Sequence, residues 1–521
     1  MNAAELLWST LRREEGSRLA LVGDGLELSY AEVRRRLSAL AACLLTGDVR
    51  TGDRVAMLSR NAPQYAEAYW AAISIGAISV PLNFRLAIPE LRKLLIHCTP
   101  SAYFCSAEYV SVLELADPRA CNVPIIYWGE RLIGTPANCI YFDDVASNAT
   151  AEEPLPITLG ERDPMAIVFT GGTTGTPKGS VRTHGNAIAM ALLAPGHALL
   201  GKRGASMCVT PIFHVAGQTS LLGWLWGGTI VMSAGHFDAP TFLSTVEKYS
   251  VESVFIVPTM ALALTKIPDT SAYDISSLKE WRSGSAALPL EVARRLAEMY
   301  PHVRLANGAG STEGGTFGSV PWTVMRSRRP GCVGRPPPGQ EVRILDADGS
   351  FLSDQSGETL GEIILRGAQV CVAYWDAPEQ TELAFAGGWF HTGDLGWIDE
   401  DGYLYLADRK EEMIISGGEN VYPLEVEGVI LRVAGILDVA VVGLPDERWG
   451  ERVAAVIVVD GGDEIVQQVL SVCQDELASY KRPRALLRVE AIPRTVAGKI
   501  EKHAVRELLA SRISEAGQVV H

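Results

Sequence analysis

The chain reads as an α/β protein with a large N-terminal domain of layered sheets and helices, residues 1–407, and a small α+β C-terminal domain, residues 408–521. Three observations carry that expectation. Short runs rich in β-branched residues alternate with helical patterns along most of the chain, the signature of α/β layers. At 521 residues, 47% of them hydrophobic, the chain is several times the size of one core and has ample apolar surface to bury. Near residue 408 the composition changes, as the strand-like run Gly402–Leu406 gives way to the charged Asp408-Arg409-Lys410-Glu411-Glu412.

In chain order, Met1–Gly16 interleaves Glu5, Arg12, Arg13, Glu14 and Glu15 with apolar residues, which predicts an amphipathic first helix and no secretory signal. Met165–Phe169 reads as a buried strand. Ser220–Met232 is the longest apolar stretch, but Gly223, Gly227 and Gly228 break it and it is too short to span a bilayer, so it belongs in a core. Ser253–Val257, Glu362–Leu365 and Val439–Val442 read as further strands, and Leu290–Met299 and Glu425–Val433 as helices.

Charge and cysteine content narrow the function classes. Lys and Arg number 46 against 61 Asp and Glu, a net −15 that repels a nucleic-acid backbone. The nine cysteines are scattered without a C-x-x-C pair, as expected of reduced thiols in a cytoplasmic protein with no integral membrane segment.

The most informative segment is Ile167–Gly179, a strand running into a loop with the glycines Gly171, Gly172, Gly175 and Gly179, the threonines Thr170, Thr173, Thr174 and Thr176, and Lys178. Backbone N–H groups, hydroxyls and one cation in such a loop can wrap a polyphosphate. It is not a Walker loop, because Pro177 rather than glycine precedes Lys178 and Gly179 follows it.

This loop resembles the phosphate-binding signature of the adenylate-forming superfamily of acyl-CoA synthetases, peptide-synthetase adenylation domains and luciferases, and most resembles a bacterial acyl-CoA synthetase. The resemblance spans nearly the whole chain, with further motifs in the family's order at Pro211–Gly217, Asn307–Glu313, Gly361–Gly367, Trp389–Asp394, Asp408-Arg409, Ser416–Pro423 and Pro493–Lys499. It implies an ATP-dependent ligase in which a carboxylate attacks the α-phosphate of ATP to give acyl-AMP and pyrophosphate, after which CoA displaces AMP. By the same resemblance, Thr170, Thr173, Thr174, Gly175 and Lys178 hold phosphates, and Glu313 with Thr170 holds Mg²⁺. Gly284, Ser285, Ala286 and the run Asn307, Gly308, Ala309, Gly310, Ser311 and Thr312 line the nucleotide. Asp394, in a Thr-Gly-Asp turn, accepts from the ribose hydroxyls with help from Arg409. Lys499 aligns the carboxylate with the α-phosphate.

The resemblance also implies that the C-terminal domain is mobile about a hinge at Asp408, bringing Lys499 in for adenylation and the loop of Gly417, Gly418 and Glu419 in for CoA. Three positions depart from the family pattern. Ala309 stands where an aromatic residue usually stacks on adenine, Gly171 replaces a serine, and Glu411 replaces a lysine. His214, Gly217 and Val257 are expected to border the acyl pocket, whose small or apolar stretches favour an uncharged hydrophobic acid, fatty, aryl or alicyclic. Phe255–Thr259 lacks the aspartate that amino-acid activators carry there. The alternative is an enzyme that stops at acyl-AMP, or hands the acyl group to a partner or a carrier protein docked on Lys481-Arg482-Pro483-Arg484. A homodimer is the default assembly.

Overall fold

The fold is described from a computed structural model. It covers residues 2–148, 153, 158–170, 178–193, 204–233, 235–286, 288–329, 331–346, 348–352, 360–409, 412–416, 419–446, 449–462, 464–495 and 499–516, with the side chains of 193, 408, 409, 420 and 513–516 left out. The chain divides into two compact units. The first holds Met1–Phe255, Ser311–Gly315 and Gly367–Gly387; the second holds Ile256–Gly310, Thr316–Arg366 and Gly388–His521. The expected α/β class holds throughout.

The first unit opens with the predicted amphipathic helix, Ala3–Arg13, started by an Asn2/Glu5 capping box. Its main sheet among the described residues has eight strands: Ala373–Tyr374, Lys178–Thr183, Pro164–Thr170, Ile78–Pro81, Arg54–Leu58, Ala102–Ser106, Ile125–Trp128 and Cys139–Tyr141, in that order across the sheet. Pairing is parallel from Ile78–Pro81 to Cys139–Tyr141 and antiparallel from Pro164–Thr170 to Ala373–Tyr374. Central strands such as Ala102–Ser106 are buried along their whole length, which is why they read as unbroken apolar runs rather than alternating ones. The stretch Ser220–Met232 is core, as expected: Trp224 is fully buried and donates its indole N–H to the Ala20 carbonyl at 2.8 Å.

The second unit carries the parallel pair Glu280–Ser283 and Arg304–Ser311, and an antiparallel sheet in which Phe390–Ile398 lies between Gly361–Gly367 and Leu404–Arg409. Its C-terminal portion is built on the long antiparallel pair Ile436–Asp446 and Gly450–Val459, with Ala485–Arg488 added in parallel. Both faces of that sheet are covered. Val439, Val441 and Ala455 pack into one apolar cluster with residues of the helices Pro423–Ile430 and Glu464–Glu476, while Ala440, Val442 and Val456 pack into a second with Val505 and Leu509 of the helix Lys502–Ala516. The period-2 alternation of strand side chains thus feeds two cores from one run of sequence.

All nine cysteines are free thiols, and Cys121 alone is exposed. Among the described residues no helix is long and apolar enough to cross a membrane.

Candidate active site

In the first unit, Thr170 ends one strand and stands opposite Lys178, which begins the next, so the sheet fixes both ends of the glycine-rich loop. Thr173, Thr174 and Gly175, like Gly171, lie outside the described residues. Glu313 sits in a turn held from three sides. The Arg182 guanidinium donates to the Thr312 carbonyl at 2.8 Å, the Cys371 N–H donates to the Glu313 carbonyl at 2.7 Å, and the Gly314 N–H donates to Ser311 Oγ at 2.8 Å. The carboxylate oxygen Oε1 of Glu313 then accepts from Thr170 Oγ1 at 3.3 Å and from the Tyr374 hydroxyl at 3.1 Å.

Electrostatics in this corner follow from burial. Arg182 is only 5% exposed, and desolvation pulls its guanidinium pKa down. Burial, together with the Glu313 charge, pushes the Tyr374 hydroxyl well above its usual value, so it remains a proton donor. Lys178 Nζ lies 5.3 Å from the centroid of the Tyr374 ring.

In the second unit, a cavity of about 360 Å³ is lined by Ser285, Ala286, Asn307, Gly308, Ala309 and Gly310 together with Asp394 and Lys499. Asn307 is 8% exposed, and its side-chain oxygen is buried with no hydrogen-bond partner. An orphaned buried acceptor is costly unless a ligand donor meets it, which fits the exocyclic amino group of a purine. Asp394 donates its backbone N–H to Thr392 Oγ1 at 3.0 Å and pairs in register with Arg409. Lys499 is tied to Thr495 twice: the Thr495 N–H donates to the Lys499 carbonyl at 2.7 Å, and the Lys499 N–H donates to Thr495 Oγ1 at 3.2 Å. The same cavity is bordered by Glu412 and Lys502, an ion pair at 2.7 Å. A larger cleft of about 1190 Å³, between residues such as Lys266 and Arg488, holds none of the expected site residues.

Two family models match the chain: AMP-binding enzyme over residues 8–375 and AMP-binding enzyme C-terminal domain over residues 425–499. The chain belongs to the AMP-binding enzyme family. This AMP-binding enzyme is 33% identical over 497 residues to a long-chain-fatty-acid–CoA ligase of Mycobacterium tuberculosis, covering 93% of the chain and 94% of the relative. It is 36% identical over 486 residues to a feruloyl-CoA synthase of Amycolatopsis, covering 92% and 94%. Its fold is similar to the crystal structure of the anthranilate CoA ligase AuaEII in complex with anthranoyl-AMP, with a TM-score of 0.87, 25% identity and coverage of 99% and 98%. The expected membership of the adenylate-forming superfamily, on its acyl-CoA synthetase side, is borne out.

Within the AMP-binding enzyme the expected residues fall into groups. Thr170, Lys178, Ser311, Thr312 and Glu313 are in the first unit, and Ser285, Ala286, Asn307 to Gly310, Asp394 and Lys499 share the cavity of the second. Gly284 precedes Ser285 but does not line that cavity. Gly417 and Gly418 lie outside the described residues, and Glu419 begins the short strand Glu419–Val421. His214 caps the helix Val215–Leu221, its Nδ1 accepting from the Ala216 N–H at 3.4 Å. Gly217 is required by packing, since a Cβ there would lie 2.3 Å from the Pro211 carbonyl oxygen. Val257 belongs to the second unit, where it caps the helix Pro258–Leu264 and is buried.

Two local expectations are corrected. Asp394 is not in a turn but inside the strand Phe390–Ile398, where Gly393 takes φ 71° and the register with the neighbouring strand shifts. The strand expected to stop at Leu406 runs on to Arg409, because Asp408 and Arg409 pair with Leu395 and Asp394. The sequence gives no sign of Tyr374 or Arg182. Both lie outside the recognised motifs, and only the sheet and the turn at Glu313 bring them to it.

Proposed function

We propose that this ligase activates an uncharged hydrophobic carboxylic acid with ATP and then transfers the acyl group to CoA. In the first step a carboxylate oxygen attacks the α-phosphorus while the bond to the bridging oxygen of pyrophosphate breaks. In the second the thiolate attacks the acyl carbon and AMP departs. The observation that carries the reading is the cavity shared by Lys499, Asp394 and the orphaned Asn307 acceptor. A cation, a ribose-accepting carboxylate and a base-accepting amide are the polar groups a nucleoside monophosphate needs.

The donor set at Glu313 suits Mg²⁺, a hard cation usually held by one or two carboxylates plus phosphate and water oxygens. Glu313 and Thr170 would hold it, where it would neutralise phosphate charge and orient the leaving pyrophosphate. Lys178 adds a fixed cation beside them, and Lys499 meets the charge that develops at the α-phosphate. The C-terminal residues from Asp408 onward then turn about that position to exchange Lys499 for the CoA loop, which leaves residues 1–407 as the N-terminal domain.

The acid class rests on the small and apolar chain neighbours of His214 (Phe213, Val215, Ala216 and Gly217) and on relatives named for fatty-acid, feruloyl and indoleacetate ligation. CoA is favoured over a carrier protein because the basic run expected to dock one is engaged internally. Lys481 pairs with Glu425 at 2.7 Å, and Arg484 stacks on Trp449 at 4.2 Å. The test is acid-dependent pyrophosphate release with Mg²⁺-ATP across fatty, aryl and alicyclic acids, with and without CoA, with mass detection of acyl-AMP and acyl-CoA. Acyl-CoA formation supports the reading; acyl-AMP that accumulates despite CoA overturns its second half.

A further inference from the structure

We propose that Tyr374 is a positioning residue for both charges of the polyphosphate site, its hydroxyl fixing the orientation of the Glu313 carboxylate so that one oxygen is left to the metal, and its ring holding the Lys178 ammonium. The inference rests on the reading of Glu313 and Lys178 given above and deepens it.

A carboxylate oxygen offers two lone-pair directions. On Glu313, Oε1 already accepts from the Tyr374 hydroxyl at 3.1 Å and faces the Thr170 hydroxyl at 3.3 Å, whose one proton it shares with the Lys178 carbonyl at 3.4 Å. The oxygen left for a divalent cation is therefore Oε2, and the carboxylate binds through one oxygen rather than both. The Tyr374 hydroxyl fixes the plane of the carboxylate, since a partial rotation would strand a partly buried hydroxyl without its acceptor, while a half-turn merely exchanges two equivalent oxygens.

The ring has the second task. Lys178 Nζ lies 5.3 Å from its centroid, within the range in which an aromatic face attracts an ammonium. One side chain thus touches the metal carboxylate with its tip and the phosphate lysine with its face, fixing the spacing between them. Tyr374 is itself well placed to do so. Its strand pairs in register with Ser180, its backbone N–H donates to Thr381 Oγ1 at 3.0 Å, and its ring meets Phe385 edge-on at 6.0 Å. The template for the two charges is therefore the sheet and not the loop.

Two variants separate the tasks. Tyr374→Phe removes the hydroxyl and keeps the ring; Tyr374→Leu removes both. ATP binding to the full chain is measured by calorimetry across a Mg²⁺ titration and again in EDTA, beside the acid KM and the melting temperature. The Phe variant should raise the Mg²⁺ concentration at half-maximal ATP binding about fivefold, the scale of one ordinary net hydrogen bond. Its ATP affinity in EDTA and its acid KM should stay native. The Leu variant should also lose about two- to threefold of ATP affinity in EDTA, as the ring no longer holds Lys178. A Phe variant with a native Mg²⁺ midpoint overturns the proposal, as does one that loses affinity equally in Mg²⁺ and EDTA. If the Leu variant fails to fold, the Phe variant decides. A native protein whose ATP binding ignores Mg²⁺ would overturn the reading of Glu313 itself, and this inference with it.

Discussion

Lys499 and Asp394, 105 residues apart in sequence, line one cavity of the second unit, Asp394 from the strand Phe390–Ile398 and Lys499 from the segment before the last helix. Replacing Lys499 by alanine should therefore slow acid-dependent pyrophosphate release by about 10²–10³-fold, the loss seen when a transition-state donor is removed. Thioester formation from supplied acyl-adenylate should change little. Parallel assays of the two half-reactions check this, and equal losses in both would remove Lys499 from its role in adenylation.

The ion pair between Glu412 and Lys502 ties the segment just past the proposed hinge to the start of the last helix. The pair is partly exposed, so its worth is limited to about 1 kcal/mol. Glu412→Gln should slow adenylation by roughly threefold and spare the thioester step, with a difference from native that shrinks as salt is raised. Stopped-flow measurement of each half-reaction at low and high ionic strength is the check.

His184 makes stability depend on pH. Its Nδ1 accepts from the Ala3 N–H at 3.2 Å, and burial drives its pKa from 6.5 to about 4, against weaker opposing pulls from Asp163 and Glu5. The unfolded chain takes up the proton below pH 6.5, while the folded chain refuses it until about pH 4. The neutral ring's contribution is therefore intact above 6.5 and lost as pH falls between those values, about 3 kcal/mol in all. His184→Gln should flatten the fall of melting temperature between pH 6.5 and 4; an unchanged slope would assign that fall to other groups.

Gly331 borders the cavity shared by Lys499 and Asp394 with φ +84°, and a Cβ there would sit 2.5 Å from the Leu406 carbonyl oxygen. Gly331→Ala should cost about 2 kcal/mol or more, from the left-handed backbone and the clash together. Thermal melts check the stability, and a raised KM for ATP should accompany the loss.

Much of this was legible in the sequence. The helical pattern Leu290–Met299 coincides with a helix to the residue, and the expected runs at Met165–Phe169, Ser253–Val257, Glu362–Leu365 and Val439–Val442 mark real strands, since buried strands in layered sheets are continuous apolar runs. Motif order placed Lys499, Asp394 and Asn307 in one reaction, and the cavity brings them together. What escaped depends on register. Nothing near Thr392-Gly393-Asp394 distinguishes a turn from a strand with one irregular glycine until the neighbouring strands pair with it. Tyr374 has no signature of its own, because its value lies in being hydrogen-bonded beside the strand that starts at Lys178.

The single exposed thiol has a practical use. Burial raises the pKa of Cys43 and Cys139, and the other thiols apart from Cys121 are buried. A maleimide dye should therefore attach to the native chain at one place, on the short turn Pro118–Asn122 of the first unit. A second dye on a cysteine introduced at the exposed Ser511 would make an optical ruler from that turn to the last helix. Fluorescence energy transfer along it would report, one turnover after another, whether the residues beyond Asp408 turn as proposed, in an otherwise unaltered enzyme.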